Sequence, residues 1–215
     1  MIFLATGKYF IIMKKFNVGI IGLGVGEQHL IGFLISRLVN SISIFDKDKK
    51  KIIKIKKKYP IERIYKNAEL MLKDKHIDII SIASYDDCHF NQIRLALENN
   101  KHVFCEKPIC QNLNELNVIE KLLKKKKITM TTNTLLRYSP RFKSLKKKIE
   151  ENYFGKIFYM ELDYNYGRIN KIYDGWRGKI RNYSVVLGGG VHMIDLLLWF
   201  KKSYPIKIKS FANNI

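Results

Sequence analysis

Along the first 132 residues, continuous apolar runs alternate with helix-length segments. The runs are "NVGIIGL", "SISIFD", "IDIISIAS", "KHVFCEKP" and "KITMTT", with a shorter "ERIY" between the second and third. A strand with one wet face alternates apolar and polar residues, whereas these runs stay apolar, so both faces of their sheet are covered. Helices between strands make parallel crossovers, so the pattern predicts a doubly wound α/β sheet of the Rossmann type. The helices are expected at Glu27 to Leu38, in "KDKKKIIKIKKK", at Ala68 to Lys73, in "HFNQIRLALENN" and in "NELNVIEKLLKK".

Near Asn133 the pattern changes. "SPRFKSLKKKIEENYFG" opens with a Ser-Pro helix start and closes on Gly155, a helix-terminating residue. "KIFYMELDYNYGR" alternates and is rich in Tyr and Phe, which predicts a long strand with one covered face, and "YPIKIKSFA" predicts a second. "VHMIDLLLWF" between them suits a largely buried helix. Two strands and two helices make a poor independent sheet, so this part is expected to be incomplete. The organisation read from the sequence is an extension at residues 1–12 ahead of a native start at Met13, a Rossmann domain at residues 13–132, and a partial α+β substrate and oligomerisation domain at residues 133–215.

The strand-to-helix junction "VGIIGLGVGEQH" places Gly22, Gly24 and Gly26 where a tight turn lets a pyrophosphate approach the free N–H groups of a helix start. The spacing is GxGxG, one residue shorter than the usual fingerprint. Asp46 ends the second strand about twenty residues on, where a carboxylate accepts hydrogen bonds from an adenosine ribose and repels a 2′-phosphate. NAD is therefore preferred over NADP, although Lys47 stands beside the carboxylate. Asp46 and Asp48 can equally cap the helix that follows.

The formal net charge of +21 raises the question of a polyanionic partner. No zinc-finger spacing and no aromatic RNA-binding signature accompanies the charge, and the lysines fall where solvated helix faces are expected, so neither a specific nucleic-acid partner nor a metal is expected. No apolar run reaches membrane-spanning length, and no clear cleavage site follows the first apolar clusters. Cys88, Cys105 and Cys110 form an odd set without CxxC spacing, which suits reduced thiols in a cytoplasm, with Cys105 and Cys110 as small buried hydrophobes.

Four segments in order, "GIIGLGVGEQH", "IASYDDCHFNQIRLALENNKHVFCEKPI", "LRYSPRFKSL" and "GGGVHMIDLLLWF", resemble the Gfo/Idh/MocA family of NAD(P)-dependent oxidoreductases. The match runs from about Met13 to the end of the chain. The resemblance implies that Lys107 sits beside the nicotinamide and the reacting carbon, where an ammonium stabilises developing alkoxide charge. Pro108 restricts the loop, and Glu106 either orients the lysine or helps to place the cofactor. His192 stands in the family's histidine position and implies a proton carrier for the substrate hydroxyl. His89 matches a position near the cofactor, with helix-end packing as the alternative.

One departure stands out. Many members carry an aspartate four residues before the histidine, and here that position is Gly188. Asp195 either orients the imidazole or serves a backbone group or cap. "YGRINKIYDGWRGK" supplies Arg168, Tyr173, Trp176 and Arg177, whose aromatic faces and forked guanidiniums suit sugar rings and anionic groups, or ordinary loop packing. The resemblance thus implies hydride transfer between nicotinamide and a CH–OH group of a sugar, cyclitol or nucleotide sugar, with a homo-oligomer through the C-terminal sheet allowed. The alternative is a truncated, nucleotide-binding but catalytically impaired member, or half of a split enzyme, since members generally run on for longer.

Overall fold

In the computed structural model the described residues are 14–180 and 183–211, so the expected extension and the start at Met13 lie outside them. The chain divides into two compact units, residues 1–133 and 134–215.

The first unit is a six-stranded parallel sheet. Its strands are β1 (Phe16–Ile21), β2 (Val39–Phe45), β3 (Arg63–Ile64), β4 (Ile79–Ile82), β5 (His102–Cys105) and β6 (Met130–Thr132), in the order β3-β2-β1-β4-β5-β6. The helices between them are α1 (Gly26–Leu34), α2 (Lys49–Lys58), α3 (Ala68–Lys73), α4 (His89–Glu98) and α5 (Leu113–Lys124). Strand order reverses between β1 and β4, which opens a crevice at the carboxyl ends of the strands, the place where such sheets bind ligands.

Two apolar clusters cover the sheet. Ile21, Ile80, Ile82, Val103 and Cys105 pack with Met71, Ile93, Leu97 and Ile119, while Val18, Ile20, Ile42 and Ile44 pack with Leu23, Leu30 and Ile55. Isoleucine dominates because a branched side chain fits a pleated surface buried on both sides. Each fully buried side chain of this kind contributes about 1.5–3 kcal/mol.

Three of these five helices, α2, α3 and α5, are capped by their own sequence. Asp48 accepts the Lys50 amide at 2.8 Å and Asn67 accepts that of Leu70 at 2.8 Å. Asn112 accepts the Glu115 amide at 3.0 Å, and the Glu115 carboxylate reaches back to the Gln111 amide at 2.8 Å. Lysines close the other ends. Lys101 Nζ donates to the carbonyls of Asp74 and Ile77, each at 2.6 Å, just past α3. Lys126 Nζ donates to the carbonyls of Leu97 and Glu98 at 2.8 and 2.7 Å, at the end of α4. Part of the positive charge is thus built into the fold, and Lys51, Lys54 and Lys58 of α2 stand beside Asp46 and Glu27.

α1 ends at Leu34, short of the expected Leu38. Ile35 is 82% exposed, so the apolar periodicity there has no core to bury against.

The second unit holds α6 (Pro140–Glu150), α7 (Asn170–Tyr173) and α8 (Val191–Lys201), with a π-helical turn at Val186–Gly190 leading into α8. Lys146 of α6 donates to the Trp199 carbonyl at 2.6 Å and ties α6 to the last turn of α8. The two strands expected here are not found among the described residues. Residues 156–168 and 204–211 form no ladder, because neither run meets a partner backbone, and Phe158 is 96% exposed. No helix of the described residues is long and apolar enough to cross a membrane.

Candidate active site

The glycine turn follows β1 at the crevice. Gly22 has φ +87°, and a Cβ there would lie 2.3 Å from the Ala83 carbonyl oxygen, so both backbone conformation and close approach demand glycine. Gly26, the first residue of α1, packs on Ala83 and Ile20, whereas a Cβ on Gly24 would meet nothing within 4 Å. Gly24 therefore presents bare backbone to solvent at a helix start, a cradle that any side chain would fill.

Asp46 braces this turn. One carboxylate oxygen accepts the Leu23 amide at 2.6 Å and the other accepts the Asp48 amide at 2.8 Å, with Lys51 Nζ at 3.9 Å. The capping of α2 falls to Asp48, which leaves Asp46 pointing from the end of β2 to the glycine turn. A carboxylate has about four acceptor sites, so these two amides leave capacity for ribose hydroxyls.

The Glu106–Lys107–Pro108 loop leaves β5 on the same carboxyl edge, with β4 between it and β1. The Glu106 amide donates to the carbonyl of Ile82, the last residue of β4, at 2.8 Å, which carries the ladder one residue past the end of β5. Lys107 and Glu106 are half-buried, Pro108 is buried, and the Lys107–Pro108 peptide is cis.

His89 holds this loop from below. It is fully buried at the start of α4, its Nδ1 lies 2.7 Å from the Pro108 carbonyl, and its Nε2 lies 3.2 Å from the Ser84 carbonyl. Helix-end packing and a place beside the loop are thus the same fact.

Glu106 belongs to a network that the sequence did not announce. Its Oε1 accepts from Asn133 Nδ2 at 2.6 Å and lies 3.1 Å from His29 Nε2, while His29 Nδ1 lies 2.9 Å from Ser81 Oγ. Burial works against the Glu106 charge, but the His29 and Asn133 hydrogen bonds and the Lys107 ammonium outweigh it and hold the carboxyl below its ordinary value. His29 lies inside the glycine segment, one turn after Gly26, and that helical spacing was the available signal. Burial pushes the Cys105 thiol well up, which fits a packing role.

The remaining candidates lie in the second unit. His192 is half-buried in the first turn of α8. Gly188 packs under Tyr183, whose hydroxyl lies 1.8 Å from where a Cβ would stand, so the tyrosine occupies the room a longer side chain would need. Asp195 is held by Arg137 through two hydrogen bonds of 2.8 and 2.6 Å, with the guanidinium also over the Trp199 ring. Its carboxylate is committed to that fork. Arg177 lies over the Trp176 ring at 4.2 Å, and Arg168 lies over Tyr166 at 5.7 Å. Arg168 and Tyr173 are exposed, and Trp176 and Arg177 are half-buried. A groove of about 560 Å³ in this unit is lined mainly by apolar side chains, among them Phe142, Leu145, Met160, Met193 and Phe200. Arg168, Tyr173, Trp176, Arg177 and His192 do not line it.

Residues 16–134 match the family described as "Oxidoreductase family, NAD-binding Rossmann fold", Gfo/Idh/MocA. Among curated proteins, the myo-inositol 2-dehydrogenase of Thermotoga maritima is 28% identical over 141 residues, covering 65% of this chain and 42% of that protein. The crystal structure of myo-inositol 2-dehydrogenase from Lactobacillus plantarum matches with a TM-score of 0.78 and 26% identity, over 87% of this chain and 56% of that one. The scyllo-inositol dehydrogenase of Lactobacillus casei, solved with bound NAD(H) and scyllo-inositol, shares the fold at TM-score 0.75 and 21% identity, over 87% of this chain and 56% of that one. The chain spans about half the length of these relatives. With more than half of its residues matched by the family model, and with the glycine turn and the Glu106–Lys107–Pro108 loop on one sheet edge, the chain belongs to the Gfo/Idh/MocA oxidoreductase family.

Proposed function

We propose that the chain takes part in NAD-dependent oxidation or reduction of a CH–OH group on a sugar-like or cyclitol substrate. The observation that carries this reading is the placement of the glycine turn after β1 and of Lys107 after β5 on the two sides of β4, at the carboxyl edge where such sheets bind ligands. Gly22, Gly24 and Gly26 with the start of α1 would hold the pyrophosphate, and Asp46 the adenosine ribose. Bound nicotinamide supplies the acceptor or donor of a hydride.

In the oxidation direction the substrate C–H and O–H bonds both break and a carbonyl forms. Lys107 holds the substrate oxygen and stabilises its negative charge as the carbonyl develops. His192 takes the hydroxyl proton and returns it in the reverse direction. Glu106, kept charged, fixes the loop from which Lys107 projects. Arg168, Tyr173, Trp176 and Arg177 supply aromatic and guanidinium surface suited to the substrate. The inositol dehydrogenases among the relatives support a polyol of this kind.

The pairing of Asp195 with Arg137, together with Gly188, favours a second reading, in which the chain binds the dinucleotide without turnover. Titration with NADH and NADPH, followed by assay against inositols and sugars, separates the two. Binding without turnover on any polyol supports the second reading, and binding of neither nucleotide overturns both.

A further inference from the structure

We propose that His29 is a positioning residue for the loop that carries Lys107, joining the dinucleotide helix to that loop through one buried imidazole. The inference rests on the reading of that loop as the wall of the nicotinamide site.

His29 and Glu106 are 77 residues apart in the chain, and their side chains are 5% and 14% exposed. The imidazole lies against the Phe104 ring, with centroids 4.8 Å apart, and this fixes its plane. With its proton on Nε2 the ring donates to the Glu106 carboxylate, and the Ser81 hydroxyl donates to Nδ1.

The helix matters as much as the ring. α1 begins at the glycine turn, so a pyrophosphate held at its start and a lysine held past β5 are both referred to the same rigid element. Without His29, the carboxylate that precedes Lys107 keeps Asn133 as its neutral donor and loses the cation-capable one, and a buried carboxylate that loses a partner moves to find another. The loop then keeps its His89 anchor at Pro108 but not its anchor at Glu106.

The test uses the 215-residue chain and two probes, NADH and ADP-ribose, the second of which has the pyrophosphate but no nicotinamide. His29→Leu should weaken NADH about tenfold while ADP-ribose stays within about twofold. His29→Gln, which can still offer an N–H to Glu106, should recover most of that loss. If His29→Leu does not fold, His29→Asn, whose shorter amide takes the place of Nδ1 beside Ser81 but does not reach Glu106, carries the test and should show the same NADH-selective loss. Equal losses for both probes, or no loss for either, in the variant that folds overturn the inference while the dinucleotide reading stands. A wild-type chain that binds neither probe overturns the dinucleotide reading and the inference with it.

Discussion

The carboxylate of Asp46 accepts the backbone amide of Leu23 at 2.6 Å, so the residue at the end of β2 holds the glycine turn after β1 in shape. The carboxylate proposed above to hold the ribose is thus also a structural brace, and the two roles can be separated. Asp46→Asn keeps an acceptor for Leu23 but removes the charge. We expect its preference for NADH over NADPH to fall by about tenfold or more, because repulsion of a 2′-phosphate is lost and Lys51 is released. Fluorescence titration with both nucleotides reads this ratio, and an unchanged ratio would leave Asp46 with the brace alone.

Gly22→Ala should destabilise the first unit by about 2–4 kcal/mol, since left-handed backbone and a collision with the Ala83 carbonyl add together. Urea denaturation followed by circular dichroism measures this. A loss below about 1 kcal/mol would show that the turn relaxes around the methyl group.

Lys107→Met is expected to lower turnover on an identified polyol by about 10²–10³-fold, the usual cost of removing one donor from a developing oxyanion. NADH affinity should change far less, because the loop remains tied at Glu106 and Pro108. Steady-state kinetics beside NADH titration checks both halves, and full turnover in the variant refutes the assignment.

Glu106 sets an acid limit. Its folded pKa lies below the ordinary 4.5, so its contribution to stability is complete above that pH and fades as pH falls through the lower folded value. The advantage of the wild type over Glu106→Gln in thermal melts should therefore be constant from neutral pH to about 5 and should shrink below 4.5. A gap that widens toward acid pH would mean that the carboxyl is held protonated.

Lys101→Met should cost about 2–3 kcal/mol, because two carbonyls near the end of α3 lose a charged donor. The equivalent change at Lys14, which is largely exposed beside Asp78, should cost less than about 1 kcal/mol. Chemical denaturation of the pair tests whether buried lysines differ from surface ones here.

Much of the first unit was legible in the sequence. Continuous isoleucine-rich runs marked the strands, and α3 falls at Ala68–Lys73 as read, with Asn67 as its cap. The capping lysines were not legible, since Lys101 and Lys126 meet carbonyls 24 to 29 residues away and nothing local distinguishes them from solvated neighbours. The same holds for the Ser81–His29–Glu106–Asn133 network, in which each residue is ordinary until the sheet brings them together. In the second unit, alternation at residues 156–168 promised a strand, but alternation states a preference and a ladder needs a partner.

The sheet's two outer strands, β3 with two residues and β6 with three, have a consequence of a different kind. Isoleucine-rich strands are efficient templates for intermolecular pairing, and a long open edge would make this chain prone to fibrils. Here the long apolar strands β1 and β2 lie inside the sheet, β3 ends the row with exposed Arg63 and Ile64, and β6 closes the other side almost as briefly. The Rossmann sheet is thereby blunt at both margins, and its most aggregation-prone segments are shielded for as long as it stays folded.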